Sequence, residues 1–248
     1  MTSATLDIQP LEERAAAVAA PAEIHIRRFD GATRALHVVV MTSFLALAAT
    51  GMPLLFSDAP WARALARLFG GFYGAGIVHR AFGSVLLLSV VWHLADVGWR
   101  SIVRGERGLF WGPDSMVPQP RDFVNLWRQI KWFFEQGPPP KFERFTYWEK
   151  FDYWAVLWGT ALMGAAGLVL WFPIAASRVL PGWMFNLALF VHGAEATLAI
   201  VFIFAVHFFN GHLRPGQFPM DMAIFTGSVP ETELKHKRAA QYERLVAA

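Results

Sequence analysis

The sequence contains no cysteine. Disulfides, covalently attached c-type haem, cysteine-ligated iron–sulfur clusters and thiolate zinc sites are therefore excluded. Charge is also scarce. Asp, Glu, Lys and Arg make up 17% of the 248 residues, whereas a soluble domain carries about a quarter. The net charge of +3 is small, and the basic residues sit in loops between apolar runs, which argues for membrane topology and against nucleic-acid binding. No signal peptide is expected, because Glu12, Glu13 and Arg14 precede only a short alanine stretch. Met1 to Ile24 reads as a polar, poorly ordered tail.

What is abundant is apolar. Hydrophobic residues reach 55%, and the 22 Phe and 11 Trp suit lipid-facing surfaces and interfacial belts. A bilayer core of about 30 Å needs about 20 apolar residues to cross it as a helix. Four runs qualify: His37 to Phe56, Gly76 to Trp99, Tyr153 to Phe172 and Leu187 to Phe209. Pro53 and Pro173 fall near the ends of the first and third, where a helix is expected to break. The connections Ser57 to Ala75 and Pro173 to Asn186 are short. The one between the second and third spans, Arg100 to Lys150, is long and polar. Within it, Arg121 to Glu135 alternates Phe and Trp with Arg and Lys, as an amphipathic surface helix or a loop packed on a partner would.

Eighteen Lys or Arg lie in the N-terminal segment, the long connection and the C-terminal segment, against three in the two short loops. The positive-inside rule then places both termini and the long connection in the cytoplasm. The fold expected is all-α: an integral membrane four-helix bundle with cytoplasmic termini and a long cytoplasmic connection between helices 2 and 3. Its parts are an N-terminal tail (1–26), a transmembrane domain (27–213) and a C-terminal tail (214–248).

Histidine is the remaining source of metal chemistry. His25 and His236 fall outside the spans and read as solvated. His37, His79, His93, His192 and His207 lie inside or at the ends of spans, and His212 lies just beyond the fourth. Ionisable residues at membrane depth are costly and usually functional. His79 and His93 are 14 residues apart on one span, and His192 and His207 are 15 apart on another. Both separations correspond to about 21–23 Å along a helix, and both keep the pair roughly on one face. With the second and fourth spans running inward, His79 and His192 share an outer level. His93 and His207 share an inner level with His37, which opens the outward-running first span. Two layers of imidazoles suit two stacked haems with paired axial histidines. Gly51, Gly83, Gly159, Gly164 and Gly167 could open a slot for a porphyrin or simply allow close helix packing.

Four strings in order resemble one family. RFDGATRALH (Arg28 to His37), HRAFG (His79 to Gly83), EKFDYWAVLWG (Glu149 to Gly159) and HGAEATLAIVFIFAVHFFNGH (His192 to His212) resemble the four helices of the cytochrome b subunits of membrane-bound formate dehydrogenases and nickel–iron hydrogenases. The likeness covers roughly residues 27 to 215. It implies a membrane-anchoring subunit that passes electrons between an extracytoplasmic redox partner and membrane quinone in the bacterial cytoplasmic (inner) membrane. It also implies two b haems, the inner held by His37 and His207 and the outer by His79 and His192. His93 is extra to this pattern. The 14 and 15 spacings also resemble the cytochrome b of bc-type complexes, where His93 would replace His37, and a third haem using His93 and His212 is a further option. The stretch RPGQFPMDMAIFTG (Arg214 to Gly227) resembles a subfamily associated with multihaem cytochromes, so the partner expected is an iron–sulfur protein or a multihaem cytochrome c. Quinone chemistry requires proton exchange, for which Glu149, Asp152, His93 and His212 are placed by position. A salt-bridged helix start around Lys150 explains Glu149 and Asp152 equally well. Two other classes of function remain: a haem-binding membrane anchor without quinone chemistry, and a transporter using the histidines as a proton relay.

Overall fold

The computed structural model describes residues 23–215 and 217–247. Residues 1–22, which carry most of the tail expected to be poorly ordered, lie outside the described residues. Four helices are long and apolar enough to cross a membrane: α1 (Gly31–Leu55), α3 (Gly71–Ile102), α5 (Tyr147–Trp171) and α6 (Trp183–Phe202). α6 continues through two wide π turns, Ile203–His207 and Phe209–Leu213. Shorter helices join them. α2 (Pro60–Arg67) lies between α1 and α3, and α4 (Pro120–Phe133) lies in the long connection.

Polar caps start α1 and α5 ahead of their apolar runs. Asp30 caps α1, accepting a 2.7 Å hydrogen bond from the Thr33 amide, so the helix starts six residues before His37. Pro53 falls in the last turn, and α1 ends two residues later. Gly70 and Gly71, with φ of 81° and 85°, make the turn into α3. Thr146 and Glu149 form a reciprocal capping box at the start of α5, well ahead of Tyr153.

α1 packs chiefly on α3, and α5 on α6; fewer contacts join these two pairs. Among the described residues, the buried side chains inside the spans are small or polar: Ser43, Thr50, Pro53, Ala75, Lys150, Ala166 and Ala188. Helices in lipid gain little by burying large apolar groups against each other, so close backbone approach is the expected solution.

The end of the bundle where α1 starts carries a small folded cap. Strand β1 (His25–Arg27) pairs antiparallel with β2 (Ser228–Pro230), with Ile26 opposite Val229. Helices α7 (Glu231–Lys237) and α8 (Ala239–Val246) follow. Ala223, Val229 and Leu234 are buried there against Ile26, Phe29 and Tyr242. The C-terminal segment thus folds back on the start of α1 rather than trailing from the bundle. Its Arg238 reaches Glu149 at 2.8 Å, and Arg28 reaches the same carboxylate at 3.0 Å. Burial pushes the Arg28 guanidinium below its ordinary range, and Glu149 opposes that shift.

Candidate functional site

The spans bring four of the histidines together in two pairs. His37 on α1 and His207 on the α6 π turn have ring centroids 6.5 Å apart, with planes inclined at 31°. His79 on α3 and His192 on α6 have centroids 6.1 Å apart, inclined at 68°. Both pairs cross between the α1/α3 pair and the α5/α6 pair. The π turn Ile203–His207 takes up about one residue, which changes the rotation between His192 and His207 from roughly +60° to roughly −40°, so the two stay on one side of α6. No residue in Ile203–His207 announces that turn in the sequence.

The separation has a chemical meaning. A metal–imidazole nitrogen bond is about 2 Å, and a ring nitrogen lies about 1.1 Å from its ring centre. Two imidazoles on opposite sides of one iron therefore hold their centroids about 6 Å apart. Both pairs meet that distance. Among the described residues no three His, Cys, Asp or Glu side chains converge as a metal cage would need. A pair of imidazoles at that separation could hold a haem iron, whose porphyrin would supply the remaining ligands.

Hydrogen bonds orient one ring of each pair. His79 Nδ1 lies 3.1 Å from Thr50 Oγ1, and Thr50 is fully buried. His207 Nδ1 lies 3.3 Å from Asp152 Oδ2. The opposite rings differ: among the described residues no side chain meets the buried Nδ1 atoms of His37 and His192, and only the Met163 backbone approaches His192. Glycines shape the space beside two of the rings. A Cβ on Gly51 would stand 3.0 Å from His79 Cε1, and one on Gly167 would stand 3.2 Å from His192 Cε1. Gly83 is different, since a Cβ there meets only Leu47 at 3.8 Å.

The remaining sequence-derived residues have other partners. His93 Nε2 lies 2.8 Å from the Tyr153 hydroxyl, and His212 packs on Phe208 with centroids 4.9 Å apart. Among the described residues neither ring stacks on another imidazole, although His212 is an electrostatic neighbour of His37. Glu149 is held by Arg28, Arg238 and Thr146. Asp152 faces His207, and Lys150 pairs with Asp122 of α4 at 2.8 Å rather than with Glu149 or Asp152. His25 accompanies the Glu23 carbonyl at 3.0 Å, and both His25 and His236 are exposed.

Three residues near these pairs were not singled out in the sequence. Thr50 looks like any span residue until its hydroxyl is seen beside His79. Tyr153 marks the start of the third apolar run, and only the fold sets it against His93. Glu195, one turn after His192, is an intramembrane carboxylate facing α5, where a Cβ on Gly159 would stand 3.1 Å from its Oε1. Its charge within an apolar run was the available signal. No family model and no curated protein matches this chain.

Proposed function

We propose that this chain is the membrane-anchoring cytochrome b subunit of a quinone-linked oxidoreductase complex. It relays electrons between an extracytoplasmic redox partner and the quinone pool of the bacterial cytoplasmic membrane, with both termini in the cytoplasm. The observation that carries this reading is the pairing of His37 with His207 and of His79 with His192, at 6.5 and 6.1 Å, on helices that qualify as membrane spans. The resemblance of the four ordered helix strings to formate dehydrogenase and hydrogenase cytochrome b subunits supports the same assignment.

The residues fit b-type haem. His37 and His207 would hold one group and His79 and His192 the other, and Gly51 and Gly167 leave room beside the rings. Haem bound there would supply one-electron redox chemistry at two membrane levels. The chain's own part is orientation: Thr50 and Asp152 aim two of the imidazoles. Proton exchange with quinone belongs at the end where α1 starts, where His93 and Tyr153 form a hydrogen-bonded titratable pair. Glu149 and Asp152 lie at the same end, each engaged with cationic or imidazole partners. The partner is an iron–sulfur protein or a multihaem cytochrome c on the opposite face.

The test is spectroscopic. The full chain purified from membranes should show b-type α bands in reduced-minus-oxidised spectra, two haems per chain, and reduction by quinol. A chain without haem overturns the proposal and favours a proton-relay transporter. Haem that quinol cannot reduce limits the chain to a haem-binding anchor.

A further inference from the structure

We infer that Thr50 and Asp152 are positioning residues that fix which nitrogen of His79 and His207 faces the metal, and that they make the two ligand pairs electrically unequal. The inference rests on the haem reading above.

The tautomer at His79 follows from counting hydrogens. Thr50 has one hydroxyl hydrogen, and its Oγ1 donates to the Ala46 carbonyl at 2.7 Å. Toward His79 Nδ1, 3.1 Å away, the same oxygen can only accept. Nδ1 therefore carries the proton and Nε2 keeps its lone pair, as an iron ligand must. At His207 a carboxylate does the same work. Asp152 Oδ2 is an acceptor, so His207 Nδ1 is the donor across 3.3 Å and Nε2 is again the free nitrogen.

In each case the orienting group comes from a neighbouring helix: α1 for His79 on α3, and α5 for His207 on α6. Among the described residues, no side chain meets Nδ1 of the other ring, His192 or His37; the Met163 backbone approaches His192 and the Leu47 backbone approaches His79. A side chain thus orients one ring of each pair, and the two side chains are chemically unlike. Thr50 offers a neutral oxygen. Asp152 offers a charged one, which draws the Nδ1 proton more strongly and makes the imidazole a more electron-rich ligand. An electron-rich axial ligand favours the ferric over the ferrous state. Asp152 therefore lowers the reduction potential at the His37/His207 level, and Thr50 exerts little such pull at the His79/His192 level.

The experiment uses the full chain in lipid nanodiscs, with haem counted per chain, both midpoints measured by potentiometric titration, and ferric signals recorded by electron paramagnetic resonance. Asp152→Asn should retain two haems and shift one ferric-to-ferrous equilibrium toward ferrous at least tenfold, about 59 mV for one electron. The other midpoint should stay in place, and Asp152→Glu should return the first toward its starting value. Thr50→Val should move the resonance signal of the other haem, with Thr50→Ser restoring it. If Asp152→Asn loses one haem while Asp152→Glu keeps both, the positioning role stands. Two haems with both midpoints and both signals unchanged in Asp152→Asn and Thr50→Val overturn the inference and leave the haem reading intact. Unsubstituted chain that binds no haem overturns both.

Discussion

The contact between α4 and the start of α5 offers a quantitative test that is independent of any cofactor. Lys150 and Asp122 form an ion pair at 2.8 Å, with side chains only 2% and 9% exposed. The Asp122 carboxylate also accepts a 2.7 Å hydrogen bond from the Gln119 amide, closing the start of α4. Lys150→Met keeps the apolar stem and removes the charge, leaving a buried carboxylate without its cation. Breaking such a pair from one side costs about 3–5 kcal/mol. At 1.4 kcal/mol per tenfold, the local opening of α4 should become roughly a hundred-fold to a few thousand-fold more frequent. Amide hydrogen exchange across Arg121 to Phe133 in nanodiscs reads that opening directly. The double replacement Lys150→Met with Asp122→Asn removes both charges and keeps an oxygen to accept from Gln119. It should recover most of the lost protection, because pairs replaced together are often nearly neutral. Protection unchanged in Lys150→Met, or equally lost in the double variant, would refute the claim that this pair seats α4 on the bundle.

Three further outcomes follow from the geometry. Substituting His37 and His93 separately by Ala should remove one haem only in the His37 variant, since His93 faces Tyr153; a haemochrome assay on each purified variant checks this. Gly51→Ala sets a methyl 3.0 Å from His79 Cε1 and should weaken haem retention at that level, whereas Gly83→Ala, meeting only Leu47 at 3.8 Å, should not. Hydrogen bonding from the Thr33 amide holds the Asp30 carboxyl below the usual carboxylate range. Because the folded value is depressed, the capping contribution is complete above the unfolded value of about 3.9 and fades as pH falls through the folded value. Asp30→Ala should therefore destabilise by about 1 kcal/mol at neutral pH and by nothing at strongly acid pH, as read by denaturation in detergent across pH.

Hydropathy located all four spans, because lipid demands long uncharged runs and little else produces them. It misplaced their ends by several residues where Asp30 and the Thr146–Glu149 box extend the helices in polar sequence. α2 went unread in the short connection, although Pro60 at its first turn was a usable signal. The amphipathic pattern at Arg121 to Glu135 corresponds to α4, Pro120–Phe133. Spacing and helix direction grouped His79 with His192, and His37 and His93 with His207, without choosing between His37 and His93; the structure sets His37 beside His207, His79 beside His192 and His93 beside Tyr153. Several features depend on contacts between residues far apart in the chain. Thr50 and His79 are 29 residues apart, and Asp152 and His207 are 55 apart. Asp122 and Lys150 are 28 apart, and no local pattern distinguishes that pairing from the nearer carboxylates at Glu149 and Asp152. The π turns of α6 result from packing, since the residues composing them carry no break signal other than Gly211.

The arrangement of the pairs bears on how the bundle holds together. α1 with α3, and α5 with α6, make the extensive contacts, and the connection between these two units is thinner. What crosses it within the spans includes His37 with His207, His79 with His192 and His93 with Tyr153, beside the apolar approaches of Leu87 to Gly164 and Leu55 to Gly193. If iron is coordinated by both pairs, each coordination links one unit to the other, and haem binding is coupled to assembly. The absence of native cysteine allows a clean test with introduced pairs. Leu47→Cys with Gly83→Cys joins α1 to α3, and should cross-link with or without haem. Leu87→Cys with Gly164→Cys joins α3 to α5, where a Cβ on Gly164 would stand 3.2 Å from Leu87 Cδ1, and should cross-link efficiently only in haem-loaded chain. Equal cross-linking of the second pair in haem-free chain would mean that small-residue packing alone closes the bundle, and that the ligand pairs add nothing to its assembly.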